Sequence, residues 1–310
     1  MGFENGNLWQ RLLAATETAI NCGALHSIET AATELQQDDL PFMVRVATNL
    51  IRKARDKQQH ATNRSSGGKP FNPFLPPETE LTVGDISDTH LAVLNKFNVV
   101  QHHLLIVTRD FEHQETLLKH ADFEAWWRCL REYPALGFYN GGEPAGASQR
   151  HKHLQLVPLP LYAGHNAYPF AALFASTPPG NAIQSLQRLP FLHAWCRLPE
   201  GLANLDPAEA ARHSLQQYRQ MLEHVGIRGL PDADGEFQSA PYNLLMTDHW
   251  MMLIPRSQEF SQGISVNALG FVGSLFVKDR DGLETIRRIG PLNLLREVSL
   301  SADEALTHPE

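Results

Sequence analysis

The chain has 310 residues, 43% of them apolar and 19% charged, with 26 Lys and Arg against 34 Asp and Glu and a net charge of −8. That is the make-up of a globular protein able to bury a sizeable core, and length alone suggests roughly two domains or one large one. The negative charge argues against a nucleic-acid binder, and no apolar run approaches the ~20 residues of a membrane span.

From the N-terminus, Met1 to Gln10 lacks the basic and apolar stretches of a secretory signal, and Gly6 stands where a myristoylation signal needs Ser or Thr. A helix is predicted from Leu8 to about Cys22, with Asn7 as cap and Leu8, Leu12, Ala15 and Ala19 on one face. Between Arg52 and Lys69 lie six basic residues against the single acid Asp56, and the Gly- and Ser-rich end of this stretch reads as a loop. It is either a basic flap over a polyanionic small molecule or a solvated loop. Pro73 to Pro77 exclude helix and predict an extended crossing.

Leu91–Asn95 and His103–Thr108 read as paired strands, with His102 and His103 expected as surface or capping groups. Asp122 opens an amphipathic helix through Ala125, Trp126, Cys129 and Leu130, stopped by Pro134. Leu136–Asn140 and His151–Val157 are two further strands around a Gly-rich loop. Trp126, Trp127 and Phe138 are expected in the core. Pro160 to Leu205 reads as a long connection. Asp206-Pro207-Ala208-Glu209 starts a helix that Gly226 ends, with an Asp cap and Pro at the first helical position. Asn243–Met246 and Trp250–Ile254 suggest a hairpin around Asp248-His249. An apolar stretch from Asn267 to Lys278 precedes a helix pair broken at Gly290-Pro291. Hairpin strands with interspersed helices indicate an α+β fold with a mainly antiparallel sheet and flanking helices. Cys22, Cys129 and Cys196 show no paired spacing, which suits a reducing cytoplasm.

The chemistry concentrates in Asn140-Gly141-Gly142-Glu143-Pro144-Ala145-Gly146-Ala147-Ser148-Gln149-Arg150-His151-Lys152-His153-Leu154-Gln155. Residues two apart in a strand share a face, so His151, His153 and Gln155 form one polar row at steps of ~6.6 Å. Lys152, Leu154 and Leu156 point the other way, towards packing or solvent. The glycine loop upstream suits backbone amides that converge on phosphate oxygens. Three readings stand at this point. The row is an ordinary polar strand face, or a His-x-His metal pair that lacks a third ligand nearby, or a nucleophilic histidine acting on phosphorus.

Gly146 to Gln155 closely resembles the active-site segment of the ATP adenylyltransferases, also called diadenosine tetraphosphate phosphorylases, a branch of the histidine-triad superfamily. The likeness extends through Leu94-Asn95-Lys96-Phe97, His103 to Thr108, Tyr242 to Leu245, Pro255-Arg256 and Asn267 to Lys278. The resemblance implies a histidine-triad-like (hexose-phosphate uridylyltransferase-like) architecture. An N-terminal catalytic region, 1–165, would carry the motif, and a C-terminal region, 166–310, would complete the same nucleotide-binding fold. It implies His153 as the nucleophile, Gln155 on the phosphate under attack, and His151 as a further catalytic group. Substrate contacts would come from Lys53, Asn95, Lys96, Asn140, Gly146, Ala147, Ser148, Gln149, Asn267, Ala268, Leu269, Ser274 and Lys278. Hydrolases of the superfamily carry a third His where Gln155 stands.

The implied activity is a reversible phosphorolysis of diadenosine tetraphosphate to ATP and ADP through an adenylyl-histidine. Its partners would be a dinucleoside polyphosphate, ATP, ADP and orthophosphate, with Mg2+ accompanying the polyphosphate and no zinc. A sister nucleotidyltransferase for adenylyl sulfate or nucleotide sugars, and a non-catalytic nucleotide sensor, are the alternatives. No nucleic-acid or membrane partner is expected.

Overall fold

The structure is a computed structural model that describes residues 6–47 and 71–301, apart from Asn166 and Pro179. The basic segment from Arg52 to Lys69, with Lys53, lies outside the described residues. Two strands, β1 (Thr30–Gln37) and β2 (Leu40–Ala47), form a hairpin after an N-terminal helix. The main sheet has eight strands, the first five in spatial order being β3 (Thr82–Asp85), β4 (His90–Leu94), β5 (Leu104–Thr108), β7 (His153–Pro158) and β6 (Ala135–Gly141). It continues through β11 (Tyr242–Met246) and β12 (Trp250–Pro255) to β8 (Ala194–Arg197) at the far edge. Every pairing in it is antiparallel. Two short hairpins, β9 (Gly229–Asp232) with β10 (Gly235–Gln238) and β13 (Phe260–Ser261) with β14 (Ile264–Ser265), lie outside it. The last strand, β15 (Ser274–Val277), joins β2 in parallel and completes a second, three-stranded sheet.

Period-two alternation divides the core into two layers. On one face Tyr139, Leu154, Leu156, Leu244 and Met246 pack against Trp126 and Trp127 of α2 (His120–Leu130) and Tyr218 and Met221 of α4 (Pro207–His224). The helix α1 (Leu8–Asn21) packs into the same layer through Leu8, Leu12 and Ala19. On the opposite face Leu136, Phe138, Val157, Leu245 and Met252 meet Phe42 and Val44 of β2 and Leu275 and Val277 of β15. The small sheet thus covers the second face. A five-residue helix, α3 (Ala171–Ala175), and the pair α5 (Arg280–Ile289) and α6 (Pro291–Glu297) complete the described helices. No described helix is long and apolar enough to cross a membrane.

The α+β class, the antiparallel sheet and the buried Trp126, Trp127 and Phe138 agree with the expectation. Several details differ. Helix α1 begins after Asn7, yet the Asn7 side chain makes no cap; the Glu132 carboxylate accepts from Gly6 N and Leu8 N at 3.0 and 3.1 Å and meets the positive helix end. Helix α2 starts at His120, and Asp122 sits within its first turn, accepting from Lys119 N at 2.8 Å. The connection from Pro160 to Leu205 holds α3 and the edge strand β8, four residues too short to show a period. Lys152 faces away from His153 as expected, and of the two alternatives, packing or solvent, it meets packing. It is 1% exposed, and its ammonium donates to Glu112 at 3.1 Å, Leu117 O at 3.2 Å and Asp122 at 3.5 Å. The reason is that β7 is a central strand, covered on that face by α2.

Candidate active site

The His-x-His-x-Gln row lies at the N-terminal end of β7. The regular strand starts at His153, while His151 stands just before it, bridged to His113. The His153 ring donates or accepts at Nδ1 with the His151 carbonyl, 2.8 Å away; a carbonyl only accepts, so we assign the proton to Nδ1. The lone pair is then on Nε2. The ring is 4% exposed, packs on Phe74 at 5.4 Å between centroids, and burial pushes its pKa down to about 4. At neutral pH His153 is an uncharged imidazole with one nucleophilic nitrogen.

His151 has both ring nitrogens engaged. Nε2 donates to Thr108 O at 2.8 Å, and Nδ1 accepts from the Asn72 amide at 3.0 Å. Phe74 and Phe111 lie edge-on to its ring. Its influence on His153 therefore runs through its carbonyl.

Gln155 lies one step along the same face. Its Oε1 is 3.0 Å from His103 Nε2, and His103 Nδ1 is 3.0 Å from the Asn95 amide nitrogen. An amide oxygen accepts and an amide nitrogen donates, so His103 is the neutral Nε2–H tautomer. The chain of donors runs from Asn95 to His103 to Gln155 and orients the Gln155 –NH2 away from His103. Burial also lowers the His103 pKa to about 4. The expectation that His103 is a surface or capping group is overturned: it is 8% exposed, its ring centroid lies 5.5 Å from that of Phe138, and it stands just before β5 where that strand runs beside β7.

A second cluster ties the glycine loop to the distal segment. Asn140 Oδ1 accepts from Ala268 N at 3.1 Å and from the Asn243 amide at 2.9 Å; Asn243 also donates to Ala145 O at 2.8 Å. Behind them the buried Arg256 guanidinium donates to Asn243 Oδ1 at 2.5 Å, Val298 O at 2.9 Å and Val266 O at 2.9 Å. Desolvation lowers its pKa to about 9. The close approach of the loop to the distal segment favours glycine at Gly146. Its φ is +90°, and a Cβ there would stand 3.2 Å from Asn267 Cα and Val266 O. Gly146→Ala is expected to lower folding stability by about 1 kcal/mol or more, from the left-handed backbone and the close approach together. It should also raise the KM for nucleotide. Denaturant titration with steady-state kinetics checks both.

The remaining predicted residues make no described hydrogen bond to the His153 or Gln155 side chains. Ala147 and Gln149 are half-buried and Ser148 is exposed, in a stretch without regular structure. Asn267 caps the 3-10 turn Ala268–Val272 by accepting from Leu269 N at 3.1 Å. Lys96 is held by Glu78 at 2.7 Å. Ser274 bonds the Tyr162 hydroxyl at 2.6 Å, and Tyr162 in turn lies under Arg45 at the wall of a cavity of about 1020 Å³ between the β1–β2 hairpin and residues 98–102. Lys278 is exposed just past the end of β15. No group of three or more His, Cys, Asp or Glu side chains that could hold a metal ion is found among the described residues. Sequence reasoning missed His103, Gln114, Asn243 and Arg256 as parts of the site, since each enters through a long-range contact.

His103, His153 and the structural His193 all have pKa values lowered to about 4 by burial. The unfolded chain protonates these groups near 6.5, whereas the folded one resists. Their contribution to stability is present above that pH and is lost as pH falls towards 4. At pH 5 these three groups should bind about two to three more protons in the unfolded state. Denaturant midpoints measured between pH 7 and pH 5 should fall accordingly, and a flat profile would contradict the neutral, buried rings.

Residues 1–176 match the family model described as the Ap4A phosphorylase N-terminal domain, and residues 187–301 match the ATP adenylyltransferase C-terminal domain. The chain is 29% identical over 248 residues to diadenosine 5',5'''-P1,P4-tetraphosphate phosphorylase 2 of Saccharomyces cerevisiae, covering 72% of this chain and 74% of that protein. The fold superposes on the crystal structure of yeast Ap4A phosphorylase Apa2 in complex with AMP with a TM-score of 0.75, at 25% identity over 97% of this chain and 99% of that one. The same yeast protein in complex with Ap4A gives a TM-score of 0.75 at 24% identity, over 96% and 98% of the two chains.

Proposed function

The chain belongs to the Ap4A phosphorylase family, and from that premise we propose that it is a nucleotidyltransferase that phosphorolyses diadenosine tetraphosphate to ATP and ADP. The observation that carries the chemistry is the proton assignment at His153: Nδ1–H held by the His151 carbonyl at 2.8 Å, Nε2 left with its lone pair. Nε2 attacks the α-phosphorus, the bond from that phosphorus to the bridging oxygen breaks, and ATP leaves. The adenylylated ring keeps its Nδ1 proton and so carries positive charge, which the carbonyl oxygen stabilises. Orthophosphate then attacks the same phosphorus, the P–N bond breaks, and ADP departs with Nε2 restored. The sequence runs in reverse from ATP and ADP.

In this reading Gln155 donates its amide to the phosphoryl oxygens, and His151 is a positioning residue acting through its carbonyl. Asn95, Lys96, Asn140, the Gly146–Gln149 loop, Asn267, Ala268, Leu269, Ser274 and Lys278 surround the nucleotide, with Lys53 on the polyphosphate. Regions 1–165 and 166–310 act as one catalytic unit, since the main sheet takes strands from both. Magnesium arrives on the phosphate oxygens of the substrate, whose charge it offsets, and no zinc is bound. The location is the cytoplasm, in keeping with Cys22, Cys129 and Cys196 all being free thiols.

The test is to incubate the protein with diadenosine tetraphosphate with and without orthophosphate and to separate the products. ATP and ADP in equal amounts, appearing with phosphate, are expected. AMP as the main product, or faster turnover of adenylyl sulfate or a nucleotide sugar, would overturn the assignment.

A further inference from the structure

Strands β6 and β7 pair from Ala135 with Pro158 as far as Phe138 with Gln155, and the ladder then stops. Two residues further along each strand, Asn140 and His153 would exchange backbone bonds. Instead the side chain of Gln114 stands between them. His153 N donates to Gln114 Oε1 at 2.8 Å, and Gln114 Nε2 donates to Asn140 O at 2.8 Å and to His153 O at 3.2 Å.

Gln114 is itself fixed. Its backbone N donates to Arg150 O at 2.8 Å, Lys152 N donates to Glu112 O at 2.8 Å, and His113 bridges His151, so residues 112–114 run alongside 150–152. The Tyr139 hydroxyl donates to the Gln114 carbonyl. The side chain is 2% exposed.

From this geometry we propose that Gln114 is a positioning residue for the transfer reaction. It holds the main chain of the nucleophile His153 at a set distance from Asn140 and keeps the two strands splayed where the substrate must enter. The inference rests on the nucleotidyltransferase reading of the site. A primary amide suits the task because it accepts one N–H and donates to two carbonyls at once. Glutamate keeps the acceptor and loses both donors, alanine loses everything, and asparagine is one methylene too short. An unbridged His153 N–H next to the nucleophile would let the imidazole drift, and displacement of about 1 Å can cost roughly 10²-fold in rate.

The experiment is a single-turnover measurement with labelled diadenosine tetraphosphate and no phosphate, on the full chain and on Gln114→Ala and Gln114→Glu. For Gln114→Ala the rate constant of label appearance on the protein should fall roughly 10²-fold. The final amplitude per folded chain should hold, and steady-state KM should move by no more than about threefold. Gln114→Glu should fall between the two, and it serves as the readout if the alanine variant fails to fold. A merely structural role would lower the amplitude and the denaturation midpoint but leave the rate constant of the folded fraction unchanged. That outcome, in either variant, overturns the proposal. If the unaltered protein itself takes up no label, the nucleotidyltransferase reading fails and this inference fails with it.

Discussion

His153→Ala should leave a folded protein that forms no adenylyl-enzyme and turns over diadenosine tetraphosphate about 10⁴- to 10⁶-fold more slowly, the scale for loss of a covalent nucleophile. The fold should survive because the backbone bonds of His153 run to Gln114 and do not involve the imidazole. The change leaves the His151 carbonyl without its donor and a void beside Phe74, at a cost of about 1–3 kcal/mol. Substrate binding should persist, since the groups around Asn140 and the glycine loop are untouched. The check is acid-labile label on the protein after incubation without phosphate, together with nucleotide affinity by calorimetry. Retention of label by His153→Ala would place the nucleophile elsewhere.

Loss of Gln155 should have the next largest effect. Its oxygen is occupied by His103 at 3.0 Å, so only the –NH2 faces outward, a donor fixed in direction before any phosphate arrives. Removing one such preorganised donor costs roughly 10²–10³-fold in turnover. An amide does not exchange protons near neutral pH. Water attacking the intermediate would find no general base at this position, whereas orthophosphate is already anionic. Gln155→Ala should therefore slow formation and discharge of the adenylyl-enzyme together, without raising the share of AMP. Quenched-flow analysis of ADP and AMP with labelled substrate measures both. Unaltered protein that releases AMP as fast as ADP in the presence of phosphate would remove the argument that the amide favours phosphorolysis.

The side-chain row of His153 and Gln155 could be read from the chain because strand alternation is a local rule, independent of what lies beyond the strand. The same holds for the Asp206 cap, whose carboxylate accepts from Ala208 N at 2.9 Å, and for the helix break at Gly290. Resemblance in the Gly146 to Gln155 segment carried the rest of the functional reading.

What the chain alone could not show are the contacts that give those residues their properties. His103 looks like a strand-leading surface residue until β5 is placed beside β7, where it becomes the group that orients Gln155. Lys152 could face either packing or solvent until α2 covers that face and supplies Asp122. Gln114, 39 positions from His153, matters only because the ladder between β6 and β7 ends where its amide fits. The hairpin of β1 and β2 has no strong alternating signature on its exposed first strand, and it is specified by β15 and the second core layer. Local periodicity determines which side chains share a face. Burial, hydrogen-bond partners and hence the proton on Nδ1 of His153 depend on segments far apart in sequence, and only their packing decides them.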